Sequence, residues 1–274
     1  MRPAALAFCA LLALPAQALA QEPGAMTEPA DGWTVTLGGA VIASPAWQGA
    51  DQTAVSVFPD VRANFGDTIF ASIPDGLGWN AINQDGWKAG PIAKIRFGRD
   101  EEDGGSPFRV SGDSDDLLGL GDVDAAIEVG GFVEKRLGQD DQWRVRAEVR
   151  RGFGGHEGLL GDLSLSYQAR LGPARLSVGP RLALASEDYM QTYFGIDAAQ
   201  SLRSGLPTYS ASGGLLSYGV GAVAVAPLNR RAALTLFAGY DRLADDAADS
   251  PLVQLRGDRD QVTIGIGFGY RFGL

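Results

Sequence analysis

His156 is the only histidine of the 274-residue chain, so proton transfer is looked for there first. It sits in Gly154-Gly155-His156-Glu157-Gly158, beside a carboxylate. A histidine paired with a serine or a carboxylate is a general-base arrangement, but the base must be held by its neighbours. Flanking glycines hold nothing, and no serine stands in a nucleophile-elbow context. Gly265, Gly267 and Gly269 imitate a dinucleotide fingerprint, yet they open no helix and so lack its context. Asp100-Glu101-Glu102-Asp103 and Asp113-Ser114-Asp115-Asp116 gather carboxylates without the spacing of a calcium-binding helix-loop-helix. Solvated loop acid is the simpler reading. The expectation is a chain without catalytic residues, without a cofactor and without a bound metal.

The more informative charges are placed by alternation. Arg144, Arg146, Arg150, Arg170, Arg175 and Arg181 fall on successive segments, with Asp124, Glu128, Glu134 and Glu148 nearby. On a lipid face each basic residue costs ~2–4 kcal/mol near mid-membrane, so in a barrel these side chains point inward. Two readings follow. One is a cross-strand ladder of ion pairs that fills the lumen and stiffens the wall. The other is an arginine-lined track for anionic solutes. Interleaved acids favour the ladder, because pairing satisfies both signs.

The elements that carry these charges have a period of two, which marks strands. Val262, Ile264, Ile266, Phe268, Tyr270 and Phe272 alternate with Thr263, Gly265, Gly267, Gly269 and Arg271. The same pattern runs through 33–43, 123–134, 143–150, 163–171 and 175–184. Further strands are expected near 53–65, 68–74, 76–83, 86–97, 210–226 and 231–243. About ten residues per segment suits a tilted strand crossing a bilayer. No later segment is apolar enough for a spanning helix, and a bilayer accepts sheets only as closed barrels.

At the N-terminus, Arg2, an apolar run from Ala4 to Leu14 and Ala18-Leu19-Ala20 read as a signal peptide over residues 1–20. Residues 21–274 then form a single barrel domain. Cys9 is the only cysteine, so that domain has no disulfide and no thiolate. It carries 22 basic and 33 acidic residues, a net charge of −11, which argues against a nucleic-acid partner.

Connections alternate in length. Short turns are read at Gly138–Asp141, Gly172–Pro173 and Pro227–Arg230, and long ones at 98–121, 152–158, 187–209 and 245–258. Barrels of this kind put short turns on the periplasmic side and long loops outside. Both termini then lie in the periplasm, which requires an even strand count. Splitting 68–83 at Pro74-Asp75-Gly76, a turn signal, brings eleven runs to twelve. The expected fold is an all-β, transmembrane, antiparallel up-and-down β-barrel of about twelve strands, within a range of ten to fourteen. In the 187–209 loop, Asp197 is placed to cap a short helix reaching Arg203. An ordinary surface loop is the preferred reading there, over a lid across the mouth.

Several loop segments resemble the MipA/OmpV (MltA-interacting protein) family. They are Trp47-Gln48-Gly49-Ala50-Asp51, Phe58-Pro59-Asp60, Gly98-Arg99-Asp100 and Leu120-Gly121-Asp122-Val123-Asp124. Tyr193-Phe194-Gly195-Ile196-Asp197, Gly205-Leu206-Pro207-Thr208-Tyr209 and Asp249-Ser250-Pro251-Leu252-Val253 complete the set. The resemblance implies an outer-membrane barrel without catalytic residues. It also implies a non-enzymatic scaffold between a lytic transglycosylase and a peptidoglycan synthase. A narrow channel for small, anionic solutes is the alternative. Expected partners are outer-membrane lipid and lipopolysaccharide, and the barrel-assembly machinery, which would read Tyr270 and Phe272 as a C-terminal signal.

Overall fold

The computed structural model describes residues 32–102, 104 and 107–273. The expected signal peptide and Asp103 lie outside the described residues. Sustained alternation becomes strand: β1 (Trp33–Pro45), β2 (Thr53–Phe65), β3 (Ile69–Ser72), β4 (Gly76–Trp79), β5 (Ile82–Gln84), β6 (Trp87–Arg96) and β7 (Arg109–Ser111). The second half adds β8 (Ala126–Leu137), β9 (Trp143–Gly154), β10 (Leu159–Leu171), β11 (Ala174–Ala185), β12 (Gly214–Pro227), β13 (Ala232–Leu243) and β14 (Asp260–Gly273). Among the described residues four short helices interrupt it: α1 (Glu187–Phe194), α2 (Ala198–Ser204), α3 (Asp245–Asp249) and α4 (Pro251–Arg256).

Neighbouring strands pair antiparallel, and β1 pairs with both β14 and β2, so the sheet closes on itself. Twelve strands make the wall, while β5 and β7 are short additions beside β6 and β2. The expected turn at Pro74-Asp75-Gly76 separates β3 from β4. Closure follows from the solvent: hydrocarbon offers no partner to a free N–H or C=O, so an open edge is costly.

The two faces divide by parity. On β14, Ile264 and Ile266 are 52% and 46% exposed, while Gln261 and Thr263 are 3% and 5% exposed. On β8, Ile127, Val129 and Val133 face out, while Glu128, Phe132 and Glu134 are buried in the lumen. Trp33 stacks near Phe65 at 5.4 Å, and Trp143 near Tyr167 at 4.9 Å. With exposed Trp79 and Trp87 they form an aromatic belt at the short-turn end, where amphipathic rings suit the headgroup layer. Tyr270 and Phe272 lie at the same end with centroids 4.8 Å apart. The connections 46–52, 97–125, 155–158, 186–213 and 244–259 gather at the opposite, outer end.

Parity predicts which single changes the wall resists. Ile266→Arg should weaken folding by about 2–4 kcal/mol in reversible urea unfolding from phospholipid vesicles. An unchanged midpoint would mean that this face of β14 does not meet lipid.

Candidate functional site

Inward-facing charges meet in the lumen. Lys94 Nζ lies 2.8 Å from Glu148 Oε2. Arg146 bridges Glu148 at 2.7 Å and Glu134 at 3.1 Å, and its guanidinium sits 4.1 Å over the Phe132 ring. Arg144 approaches Glu134 at 3.8 Å. Arg150 reaches Glu128 at 2.6 Å and also meets Asp162, while Glu128 accepts from Arg96. The ladder therefore crosses β6, β8, β9 and β10 without a break.

A separate pair spans two strands. Arg181 on β11 donates to both oxygens of Asp241 on β13, at 2.8 and 2.7 Å. Gly219 stands in register between them on β12. A Cβ there would lie 2.5 Å from Asp241 Oδ1 and 1.9 Å from Tyr240 O, so glycine is required for the reach.

Not every expected residue joins. Asp124 is exposed in the outer loop, two residues before β8 begins, and stands outside the ladder. Arg170 is exposed at the periplasmic end of β10, opposite half-buried Arg175 in register. Lys94, Arg96, Asp162 and Asp241 were absent from the sequence reading. The parity rule could have found Lys94 and Arg96, since both share the inward register of β6 with Ile92.

The outer mouth is covered. The sequence favours an ordinary surface loop over 187–209. Instead Met190, Phe194, Leu117 and Leu252 pack there with 0–1% exposure. Trp47, Ile196, Leu206 and Val253 complete an apolar lid built from four separate loops. The family-like motifs supply its fastenings. Gly49 N donates to Gln261 Oε1 at 2.9 Å, and Trp47 Nε1 to Ser114 Oγ at 3.3 Å. Arg99 Nη1 donates to Tyr193 O at 2.7 Å, and Ser250 Oγ to Phe194 O at 2.7 Å. Asp197 caps α2 through a reciprocal box with Gln200, the helix that residue was expected to start. Pro251 opens α4, and Gly195 ends α1. Burial lowers the Arg99 pKa and raises that of Tyr193, with Arg96 and Arg99 opposing the second shift. The outer carboxylates serve backbone: Glu101 Oε2 accepts from Gly119 and Gly121, Asp122 from Glu101, and Asp100 from Glu102.

His156 corrects the sequence reading in another respect. It is 2% exposed and well supported, although it lies in an outer turn between glycines. Nε2 lies 3.2 Å from Glu128 Oε1, and the ring meets Tyr189 edge-on at 5.0 Å. A Cβ on Gly152 would come within 2.1 Å of the imidazole, so that glycine makes room for it. The supporting groups come from β8 and α1, far away in sequence. The result is a wedge between lumen and lid.

A cavity of about 510 Å³ remains beneath the lid. Its lining carries charge from β2, β6, β8, β9, β10 and β13 and is apolar at Ala40, Ile42, Leu160, Leu216 and Phe237. Among the described residues, no three His, Cys, Asp or Glu side chains are grouped to hold a metal ion.

Buried pairs resist the loss of one member far more than the loss of both. Asp241→Ala should destabilise the barrel by about 3–5 kcal/mol by stranding Arg181. The double variant Arg181→Met/Asp241→Leu should recover most of that in the same unfolding assay. A double variant no better than the single would show that the pair itself, rather than the stranded charge, carries the stability.

The chain was compared with known proteins. Residues 37–272 match the family described as MltA-interacting protein MipA. The putative outer membrane protein YiaT of Escherichia coli K12 is 34% identical over 118 residues, covering 42% of this chain. That stretch is 45% of the relative, so the matched region spans less than half of its length. Outer membrane protein OmpV of Vibrio cholerae is 27% identical over 207 residues, covering 66% of this chain and 78% of that protein. Among solved structures, an outer membrane channel from Pseudomonas putida F1 aligns with a TM-score of 0.47 and 12% identity, covering 92% of this chain and 99% of the other. The chain forms a closed twelve-strand barrel of the outer membrane, and it belongs to the MltA-interacting protein MipA family.

Proposed function

We propose that this protein is a non-conducting, non-enzymatic docking platform of the outer membrane, with murein-remodelling enzymes as its partners. The packed lid is the observation that carries this reading. A route for ions would have to pass side chains such as Met190 and Phe194, both at 0% exposure. Beneath them the ion-pair ladder occupies the charged half of the lumen. Twelve strands lie between the side-chain-filled eight and the open ~16–18, so the filling of the interior is what supports the platform over a channel. The family description names an MltA-interacting protein, which supports a lytic transglycosylase as the partner. Such an enzyme works on the periplasmic side and would meet the short turns. Charges at that end include Asp67, Asp140, Asp141, Arg230 and Arg231.

A narrow anion channel is the second reading, favoured by Arg144 and Arg175 in the periplasmic half of the lumen. Planar-bilayer recording of refolded residues 21–274 separates the two. The platform reading expects a silent, heat-modifiable barrel that retains a purified lytic transglycosylase at physiological salt. Stable conductance steps, with anion preference falling in Arg146→Ala or Arg181→Ala, would replace it with the channel. Silence together with no retention of the transglycosylase would remove the platform reading as well.

A further inference from the structure

The wall is not paired along its whole height. β2 pairs with β3 only from Arg62 to Phe65. β4 pairs with β6 only at Leu77–Ala93 and Gly78–Ile92. Nearer the outer end, β7 covers β2 at Val55 and Ser56, and Val57 N donates to Phe108 O at 2.8 Å. Between the tip of the β3–β4 hairpin and β7, residues 58–61 of β2 have no strand partner on the side away from β1, and residues 94–96 of β6 have none on the side away from β8, among the described residues. Pro59 sits in that stretch. Val57 sends its N–H away from β1, and by the strand period Pro59 occupies the same orientation two residues on. Proline has no N–H to leave orphaned there, which is where a strand accepts it.

The gap has a built rim. Phe58, Phe108 and Phe97 stack above it, with centroids 4.8 and 5.5 Å apart. Ile73 and Pro74 form the sill, and Ile95, 64% exposed, stands at the side. The rim residues Phe58, Pro59, Ile73, Pro74, Ile95 and Phe97 line the same 510 Å³ cavity as lumen-facing Ile42 and Phe237. The space inside the barrel therefore reaches the wall at this point. Pro59 is in register with Gly39 of β1, midway along that strand, so the opening faces hydrocarbon and not water.

We propose that this gap is a lateral portal through which the cavity takes a small, uncharged, hydrocarbon-rich molecule from the membrane. Three observations select that class. The lid closes the aqueous route from outside. The rim is apolar and lies at membrane depth. The cavity wall carries Asp60, Glu128, Asp162 and Asp241 against Arg62, Lys94, Arg96 and Arg150, four charges of each sign. These are engaged with one another or with Glu148 and Arg181. A charged ligand would have to break a buried pair, whereas a neutral one lies on the apolar side and breaks none. The volume falls within the ~300–1,000 Å³ of small-molecule sites.

The test is photolabelling of the full mature barrel in phosphatidylcholine vesicles with the neutral probe 3-trifluoromethyl-3-phenyldiazirine, read by peptide mapping. Lipid-facing Ile264 and Ile266 are labelled in any case and report that the probe and the fold are present. The portal expects label also on lumen-facing Ile42 and Phe237. It expects that label to be lost in Ile73→Trp and in Pro59→Trp, each with the lipid-face label intact. Wild-type protein labelled only on its lipid face overturns the proposal, whatever the variants do. Lumen label that persists in both folded variants overturns the portal as the route. Equal lumen labelling by a carboxylate-bearing diazirine of the same size overturns the uncharged class. None of these outcomes depends on whether a transglycosylase binds.

Discussion

Hydrocarbon cannot hydrogen-bond a peptide group, and every other feature of this protein is arranged around that constraint. Closure of β1 onto β14 removes the edges an open sheet would expose. Where closure lapses, the chain responds locally. β7 covers the outer part of β2, the β3–β4 hairpin covers the periplasmic part, and Pro59 removes a donor from the stretch between. Pro59 lies inside thirteen-residue β2, paired with Gly39 of β1 and within the stretch that has no strand partner on the other side among the described residues.

The same constraint sorts the charges. Period two sends one parity to lipid and the other inward, so every arginine on a strand either faces the lumen or lies near a rim. Once inside, each charge loses water and needs a counter-charge. The ladder is the outcome, with acids and bases alternating across β6, β8, β9 and β10. It is better understood as mutual neutralisation than as a source of net stability, since buried pairs gain little over well-packed apolar groups. What the ladder provides is a fixed interior on which His156 and Tyr189 can rest, joining the wall to the lid.

Alternation made the wall legible in the sequence. Residues 53–65 were read as a strand and are β2, and the turn at Pro74-Asp75-Gly76 brought the count to twelve. Inward parity was legible for Glu128, Arg146, Glu148, Arg150 and Arg181. It failed for Asp124 because the strand starts at Ala126, and periodicity does not locate the end of a strand. The lid was legible only as the less favoured reading of the 187–209 loop. Leu117, the α1 pair Met190 and Phe194, and Leu252 come from three separate loops, and helices of five to eight residues leave too short a pattern to declare a buried face. The support of His156 was hidden for a similar reason, since Glu128 and Tyr189 lie 28 and 33 positions away. The gap beside Pro59 depends on where two hairpins stop pairing, which is a property of the register between distant strands.

The fastening at Gln261 has a consequence for the order of assembly. Its side chain accepts from Gly49 N and donates to Ala50 O, while Asp258 N donates to Gly49 O. These contacts sit at the outer end of the seam where the first and last strands meet. The residues joined are more than two hundred positions apart, so the contact carries a large loop-closure cost unless the chain between them is already ordered. Loop 46–52 is thus part of the closing joint and not a decoration added to a finished cylinder. Lid and seam share these hydrogen bonds, so a change that unseats loop 46–52 also removes contacts from the outer end of the closure.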